Sequence, residues 1–317
     1  MSTFEKKSNG CGKAQLFWKR FKKNWQLHLL ILLPLLYVLI FCYWPFYGLQ
    51  IAWKDYSPRA GIWGSEWVGW ENFIEFFRNY EWTTYVKNTI RISLYSILVD
   101  FPMPIIFALL LHVNERPFLK KFTQNISYVP HFISVVVLVG IINQIFNPMT
   151  GLWGSIIEWF NLNVTGDIRI SEDAFPHLYV WSGVWASMGW SAIIYVSALS
   201  SVSHELHEAA MLDGASRWKR VIHVDIPAIL PTISMMLILR CGSILSVGYE
   251  KVYLMQNPLN LGKSEVISTY VYKMGIGEND LSYGTAVNLM NSAINVVMML
   301  LVNWIVKKLS DDEQGLF

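Results

Sequence analysis

The chain has 317 residues, of which 53% are hydrophobic, 15% aromatic and only 15% charged, more apolar and less charged than soluble globular domains usually are. Its 25 Lys and Arg nearly cancel its 23 Asp and Glu, and the net charge of +2 gives no reason to expect a nucleic-acid partner. Three cysteines (Cys11, Cys42, Cys241) lie far apart with no C-x-x-C spacing, so neither a disulfide framework nor a zinc knuckle is indicated, and a membrane protein is the leading class.

Spanning a bilayer core as a helix takes about 20 mostly apolar residues. Residues 1–24 form a basic tail (Lys6, Lys7, Lys13, Lys19, Arg20, Lys22, Lys23). The first span follows at 25–47, "WQLHLLILLPLLYVLIFCYWPFY", too long and too aromatic for a secretory signal and without a small-residue cleavage site, so it is expected to stay as an anchor. Residues 48–87 are an outer loop in which Trp67, Trp70, Phe73, Phe76 and Phe77 predict a short amphipathic helix at the interface, a membrane-surface belt or, alternatively, a docking surface for an external partner. Residues 88–308 form the core, with further spans predicted at 89–112, 127–146, 178–199, 228–247 and 285–306; residues 309–317 are a second tail. The fold class is therefore all-α, a polytopic membrane protein with six transmembrane helices.

Lys and Arg near span ends are retained on the cytoplasmic side. The basic first tail, the short links carrying Arg116, Lys120 and Lys121 and carrying Arg217, Lys219 and Arg220, and Lys307 and Lys308 after the last span all place these segments inside. The other loops are richer in acids, among them Asp55, Glu66, Glu71, Glu158, Asp167 and Glu278. Both termini are expected to be cytoplasmic.

The inner loop 200–227 contains "HELHEAAMLDGASRW", with two histidines and two glutamates within five positions. The zincin signature puts histidines four apart, whereas His204 and His207 are three apart, and His223, the other histidine of this loop, sits between Ile222 and Val224. No metal site is expected; the preferred reading is a solvated helix. Ser203 is its N-cap, Glu205 lies in its first turn, and Gly214 ends it as a residue able to take positive φ. Leu206, Ala209, Ala210 and Asp213 share a face flat enough for another protein to approach. A second short helix over 216–225 should carry Trp218 and Val221 inward, with Pro227 near the start of the fifth span. A helix-Gly-helix elbow of this kind suits transmission of position between a membrane domain and a soluble partner.

The run "EAAMLDGASRWKRVIHVDIPAILPT", 208–232, resembles the EAA loop of binding-protein-dependent ABC importer permeases, with Glu208, Ala209, Ala210, Asp213, Gly214, Ala215, Ile226 and Pro227 at the matching spacing. "YVPHFISVVVLVGIINQIFNP" (128–148) and "SEVISTYVYKMGI" (264–276) are similar to the sugar permeases, particularly those for polysaccharide and complex oligosaccharide import. The resemblance implies a MetI-like five-helix core plus an added first helix in the cell membrane of a prokaryote. It also implies a second permease subunit of similar fold, a cytoplasmic ABC ATPase dimer, an extracytoplasmic solute-binding protein or lipoprotein, and a sugar substrate. Glu208 to Gly214 would then be a coupling helix seated in a cleft of the ATPase, with Glu208 and Asp213 as polar contacts at the joint. Two departures are present: His207 where an aromatic is common, and Ala228 where glycine is frequent.

The chain has no G-x-x-x-x-G-K-[ST] loop, so no cofactor is expected of it and ATP falls to the partner ATPase; nor has it a G-x-S-x-G elbow or an H-E-x-x-H helix, so it is not expected to be an enzyme. Polar groups inside the spans (Asn143, Gln144, Tyr195, Ser197, Asn288, Asn291, Asn295) suit sugar hydroxyls; helix-to-helix hydrogen bonding is an equal alternative for each. Two ionisable residues lie deeper: Asp100, with no partner evident in sequence, and Arg240, within reach of Glu250 only near the outer end. A proton or ion relay through them would make the chain an ion-coupled secondary transporter. Against that reading, six spans with no internal repeat are few for that class, and the elbow would have no role.

Overall fold

The computed structural model describes Trp18, residues 21–160 and residues 166–309. Most of the basic first tail, including Lys6, Lys7, Lys13, Lys19 and Arg20, and the tail 310–317 lie outside the described residues. The described chain is almost entirely helical; a single antiparallel pair, Lys54–Asp55 with Glu66–Trp67, closes a small hairpin in the loop after the first span.

Among the described residues, four helical runs are long and apolar enough to cross a bilayer: Trp25–Trp53, Trp82–Val113, Arg217–Cys241 and Leu281–Lys308. The segment expected as a straight third span is instead broken, its halves Pro117–Phe132 and Val135–Ile145 meeting at 103°. Local chemistry explains the corner. Pro130 lies in a tight 3-10 turn, Ile133 and Ser134 are extended, and the Ser134 hydroxyl accepts the Val137 N–H at 3.4 Å to start a new helix. His131 stacks on Trp190 at 4.5 Å and fixes the bend against the next helix. That helix, Ala174–Ser200, has 27 residues and thus a length of roughly 40 Å. It carries no Asp, Glu, Lys or Arg, and its serines, tryptophans and glycines keep it less hydropathic than the other four. It crosses the Pro117–Tyr128 helix at Gly189, where a Cβ would stand 2.1 Å from the Ser127 carbonyl oxygen, so only glycine permits the approach.

The fifth span differs most from expectation. The sequence predicts it at 228–247 with a separate short helix before it that carries Trp218 and Val221 inward, yet one continuous run extends over Arg217–Cys241, and Trp218 is exposed while Val221 is buried. The run stays continuous through Pro227 because a π turn, Val221–Asp225, widens the ladder just ahead of the residue that lacks an N–H. Beyond Cys241 the backbone unwinds until helix Tyr249–Met255. Non-helical backbone beside a span needs partners from within the protein. Asn295 provides them, accepting the Leu245 N–H at 2.9 Å and donating to the Ser246 hydroxyl at 2.8 Å, while Asn291 donates to the Leu245 carbonyl at 3.3 Å.

Among the described residues, three buried clusters hold the spans together. One joins Ala108 and Leu109 to Tyr195, Leu199, Val221 and Ile229, beneath the 204–227 elbow. A second centres on Ile92, Leu138, Phe175, Val252 and Val266. The third packs Phe76 of helix Glu71–Arg78 into Tyr85, Tyr270, Tyr283 and Val287. Of the aromatics expected at the interface, Phe76 is thus core, whereas Trp67, Trp70 and Phe77 remain exposed as a belt would require. Helix Trp25–Val38 has no buried residue, a face all round suited to lipid or to another membrane chain.

Candidate functional site

The elbow forms as its local sequence dictates. Ser203 takes extended backbone and its hydroxyl accepts the Glu205 N–H at 3.2 Å, starting helix His204–Leu212. At the other end the Gly214 N–H bonds to the Met211 carbonyl at 3.0 Å and the Ala215 N–H to the Ala210 carbonyl at 2.9 Å, with Gly214 at φ 73°. This is the Schellman pattern, which uses up orphan carbonyls and turns the chain sharply. Ser216 then restarts the helix, its hydroxyl accepting the Lys219 N–H at 3.4 Å.

The face so presented matches the expected spacing. Leu206, Ala209 and Asp213 are exposed, Ala210 is half-buried, and Met211, Leu212 and Trp218 add exposed apolar surface beside it. Apolar side chains gathered at a helix end in this way form a patch of the kind that a partner protein or a membrane covers. Glu208 is exposed and lies 3.1 Å from His204 Nδ1, one turn back. Arg217 pairs with Glu115 at 2.9 Å, tying the second half of the elbow to the link that precedes Pro117.

His207 does not sit on the solvated face assigned to it. It turns inward, and its Nε2 lies 3.1 Å from Oδ1 of Asp225, a carboxylate only 2% exposed; His112 Nε2, at the end of helix Pro102–Val113, lies 3.6 Å from the same oxygen. No sequence spacing brings these three together, since they come from three separate segments. A local signal existed at His207 alone, a histidine where the resembled pattern carries an aromatic.

The polar residues of the spans divide by what they touch. Asn143, Gln144, Ser197 and Asn288 are exposed on the chain. Tyr195 is packed in the cluster beneath the elbow, and Asn291 and Asn295 are spent on the unwound backbone at Leu245 and Ser246. Asp100 has a partner after all: Arg240 Nη2 reaches its carboxylate at 3.0 Å, from 140 residues away, and the Ser187 hydroxyl donates to it at 3.3 Å. Glu250 is therefore not the partner of Arg240. Beside this pair a small cavity is lined by Ser93, Ser96, Tyr179, Arg240 and Ser246, a set rich in hydroxyls. In the loop before helix Ala174–Ser200, Arg169 forks onto Asp167 and reaches the Asn143 carbonyl at 3.1 Å, while its own carbonyl accepts from Asn257 and Asn260. The Arg169 guanidinium holds the Asp167 carboxyl below the usual carboxylate range.

Residues 101–311 match the family described as "binding-protein-dependent transport system inner membrane component". The whole chain aligns with Protein LplB of Bacillus subtilis (strain 168), 40% identical over 324 aligned positions and covering 100% of both. It is 37% identical to the polygalacturonan/rhamnogalacturonan transport system permease protein YteP of the same organism, over 92% of this chain and 90% of that one. Among solved structures, a chain of the bacterial alginate ABC transporter in complex with an alginate pentasaccharide-bound periplasmic protein superposes with TM-score 0.85 and 32% identity, covering 94% of this chain and 99% of that one.

Proposed function

The chain belongs to the family of binding-protein-dependent transport system inner membrane components, and on that premise we propose that it is one permease subunit of an ATP-driven importer for oligosaccharide fragments of polysaccharides. The substrate class is supported by relatives named for polygalacturonan or rhamnogalacturonan and for alginate. The observation that carries the reading is the elbow: a capped helix with an exposed face from Leu206 to Asp213, joined through the Schellman turn at Gly214 to a membrane-length helix that starts at Arg217.

In this reading the face seats in a cleft of a cytoplasmic ATPase. Closing and opening of the ATPase dimer tilts the rigid run Arg217–Cys241, and the path formed with a second permease opens to one side or the other. An extracytoplasmic binding protein delivers the sugar. Both termini and the elbow are cytoplasmic, since Lys22, Lys23, Lys307, Lys308 and the elbow bases would all lie on one side, that of the cytoplasm in a prokaryotic cell membrane. Asn143, Gln144, Ser197 and Asn288 face the path, while Tyr195, Asn291 and Asn295 shape it from behind. Ion-coupled transport is the weaker reading, because Asp100 is neutralised by Arg240 and offers no free carboxylate for a relay.

The test is Glu208→Lys in the assembled transporter. Uptake and substrate-stimulated ATP hydrolysis should fall together while the subunits still co-purify. If both activities persisted at the unaltered rate, the coupling role would be wrong.

A further inference from the structure

Where the elbow meets the span ends, His112, His207 and Asp225 each offer one donor atom, and these atoms all lie within 4.8 Å of one another. They come from helix Pro102–Val113, helix His204–Leu212 and the π turn Val221–Asp225, so the cluster ties the elbow to two span ends. The close approach is not an ordinary hydrogen-bonded ion pair. Asp225 is 98% removed from solvent in its side chain, its exposure being 2%. Although His207 Nε2 is 3.1 Å from Asp225 Oδ1, the two are poorly aligned, and both atoms are buried without a hydrogen bond. Burial of a carboxylate oxygen and an imidazole nitrogen in that condition is costly unless something else binds them.

We propose that His112, His207 and Asp225 form a zinc-class transition-metal site that pins the elbow helix to the ends of two membrane helices. The geometry fits that chemistry. Metal-to-nitrogen and metal-to-carboxylate bonds of about 2.0–2.1 Å put tetrahedral donors about 3.3–3.4 Å apart. The observed separations from Asp225 Oδ1, 3.1 Å to His207 and 3.6 Å to His112, bracket that value. Two imidazoles with one carboxylate is a donor set for zinc and its neighbours rather than for calcium or magnesium, which take oxygen. Arg220 lines the same cavity, and its charge opposes any cation held by attraction alone. Coordinate bonds to imidazole overcome that opposition where a hard ion's would not. All three residues line a cavity of about 330 Å³, which leaves room for a water ligand. The site goes beyond transport itself: it makes the stiffness of the elbow depend on a metal.

The experiment uses the complete transporter, purified through a tag other than polyhistidine, stripped with chelator and held without nucleotide. Cobalt(II) is titrated in as the probe. One equivalent should produce the intense visible absorption of tetrahedral cobalt, and zinc should abolish it by displacement. His112→Gln, His207→Gln and Asp225→Asn should each weaken binding by about 10–100-fold or more, whereas His223→Gln, exposed on the far side of the turn, should not. The weak spectrum of octahedral cobalt on the unaltered complex, or affinity unchanged in His112→Gln and His207→Gln, would overturn the proposal. Should Asp225→Asn fail to assemble, the two histidine variants and the spectrum of the unaltered complex still decide it.

Discussion

Gly214 is the position where a small change has the most calculable effect. Its φ of 73° lies in the left-handed region, and a Cβ built there meets nothing within 4 Å. Substitution therefore imposes backbone strain without a clash inside the chain. For an L-residue that strain is about 1–2 kcal/mol, which lowers the ratio of turned to unturned elbow about 5–30-fold. Gly214→Ala should cut sugar uptake and substrate-stimulated ATP hydrolysis by up to that factor. Gly214→Val should lose more, because a β-branched residue tolerates positive φ worst. Gly214→Asn should stay close to the unaltered protein, since asparagine visits this region readily. Proteoliposomes containing the full transporter, loaded with binding protein and labelled oligosaccharide, give both rates in one preparation. The reasoning fails if Ala and Asn lose activity equally, or if Ala costs nothing.

Removing either partner of the Asp100 and Arg240 pair leaves a charge uncompensated among the spans, so Asp100→Asn and Arg240→Gln should each lower the thermal midpoint in detergent, and the double variant should recover about 1 kcal/mol or more relative to additivity. Asn295→Ala deletes two hydrogen bonds to the unwound backbone and should destabilise the fold by roughly 1–3 kcal/mol, seen as a lower midpoint; Asn288→Ala, exposed on the same helix, should leave the midpoint alone and change the KM for uptake. The Asp167 carboxyl is held low by Arg169 in the folded state, so its contribution is complete above the ordinary carboxylate pKa and is lost as pH falls through the folded value. Thermal midpoints measured from pH 6 down to pH 3 should therefore drop less in Asp167→Asn than in the unaltered protein.

What could be read from the sequence was what local chemistry decides. Ser203, Gly214 and the spacing of Leu206, Ala209 and Asp213 set the elbow within a dozen residues, and the structure reproduces its cap and its turn. Apolar length located the spans, because a bilayer demands it whatever the packing. The corner at Ile133 and Ser134 was also encoded, by Pro130 and a serine able to cap, but a hydropathy window averages across such signals. The fifth span ran longer on one side and shorter on the other because a π turn absorbs Pro227 and because Asn291 and Asn295 support an unwound stretch. Neither support can be inferred from the segment itself. Pairing across distance was hidden for the same reason: Asp100 finds Arg240, and His207 finds Asp225 and His112, only once helices are packed. Asparagines in a span looked alike in sequence, yet Asn291 and Asn295 are buried with amide N–H groups donating to the unwound stretch, whereas Asn288 is exposed.

The central claim, that this chain moves sugar only when a separate ATPase drives it through the elbow, is tested most directly by energising reconstituted transporter in two ways. With ATP inside the vesicles' ATPase-bearing compartment and no ion gradient, labelled oligosaccharide delivered by its binding protein should accumulate. With a proton or sodium gradient and no ATP, it should not. Accumulation on the gradient alone, in vesicles lacking the ATPase, would contradict the account.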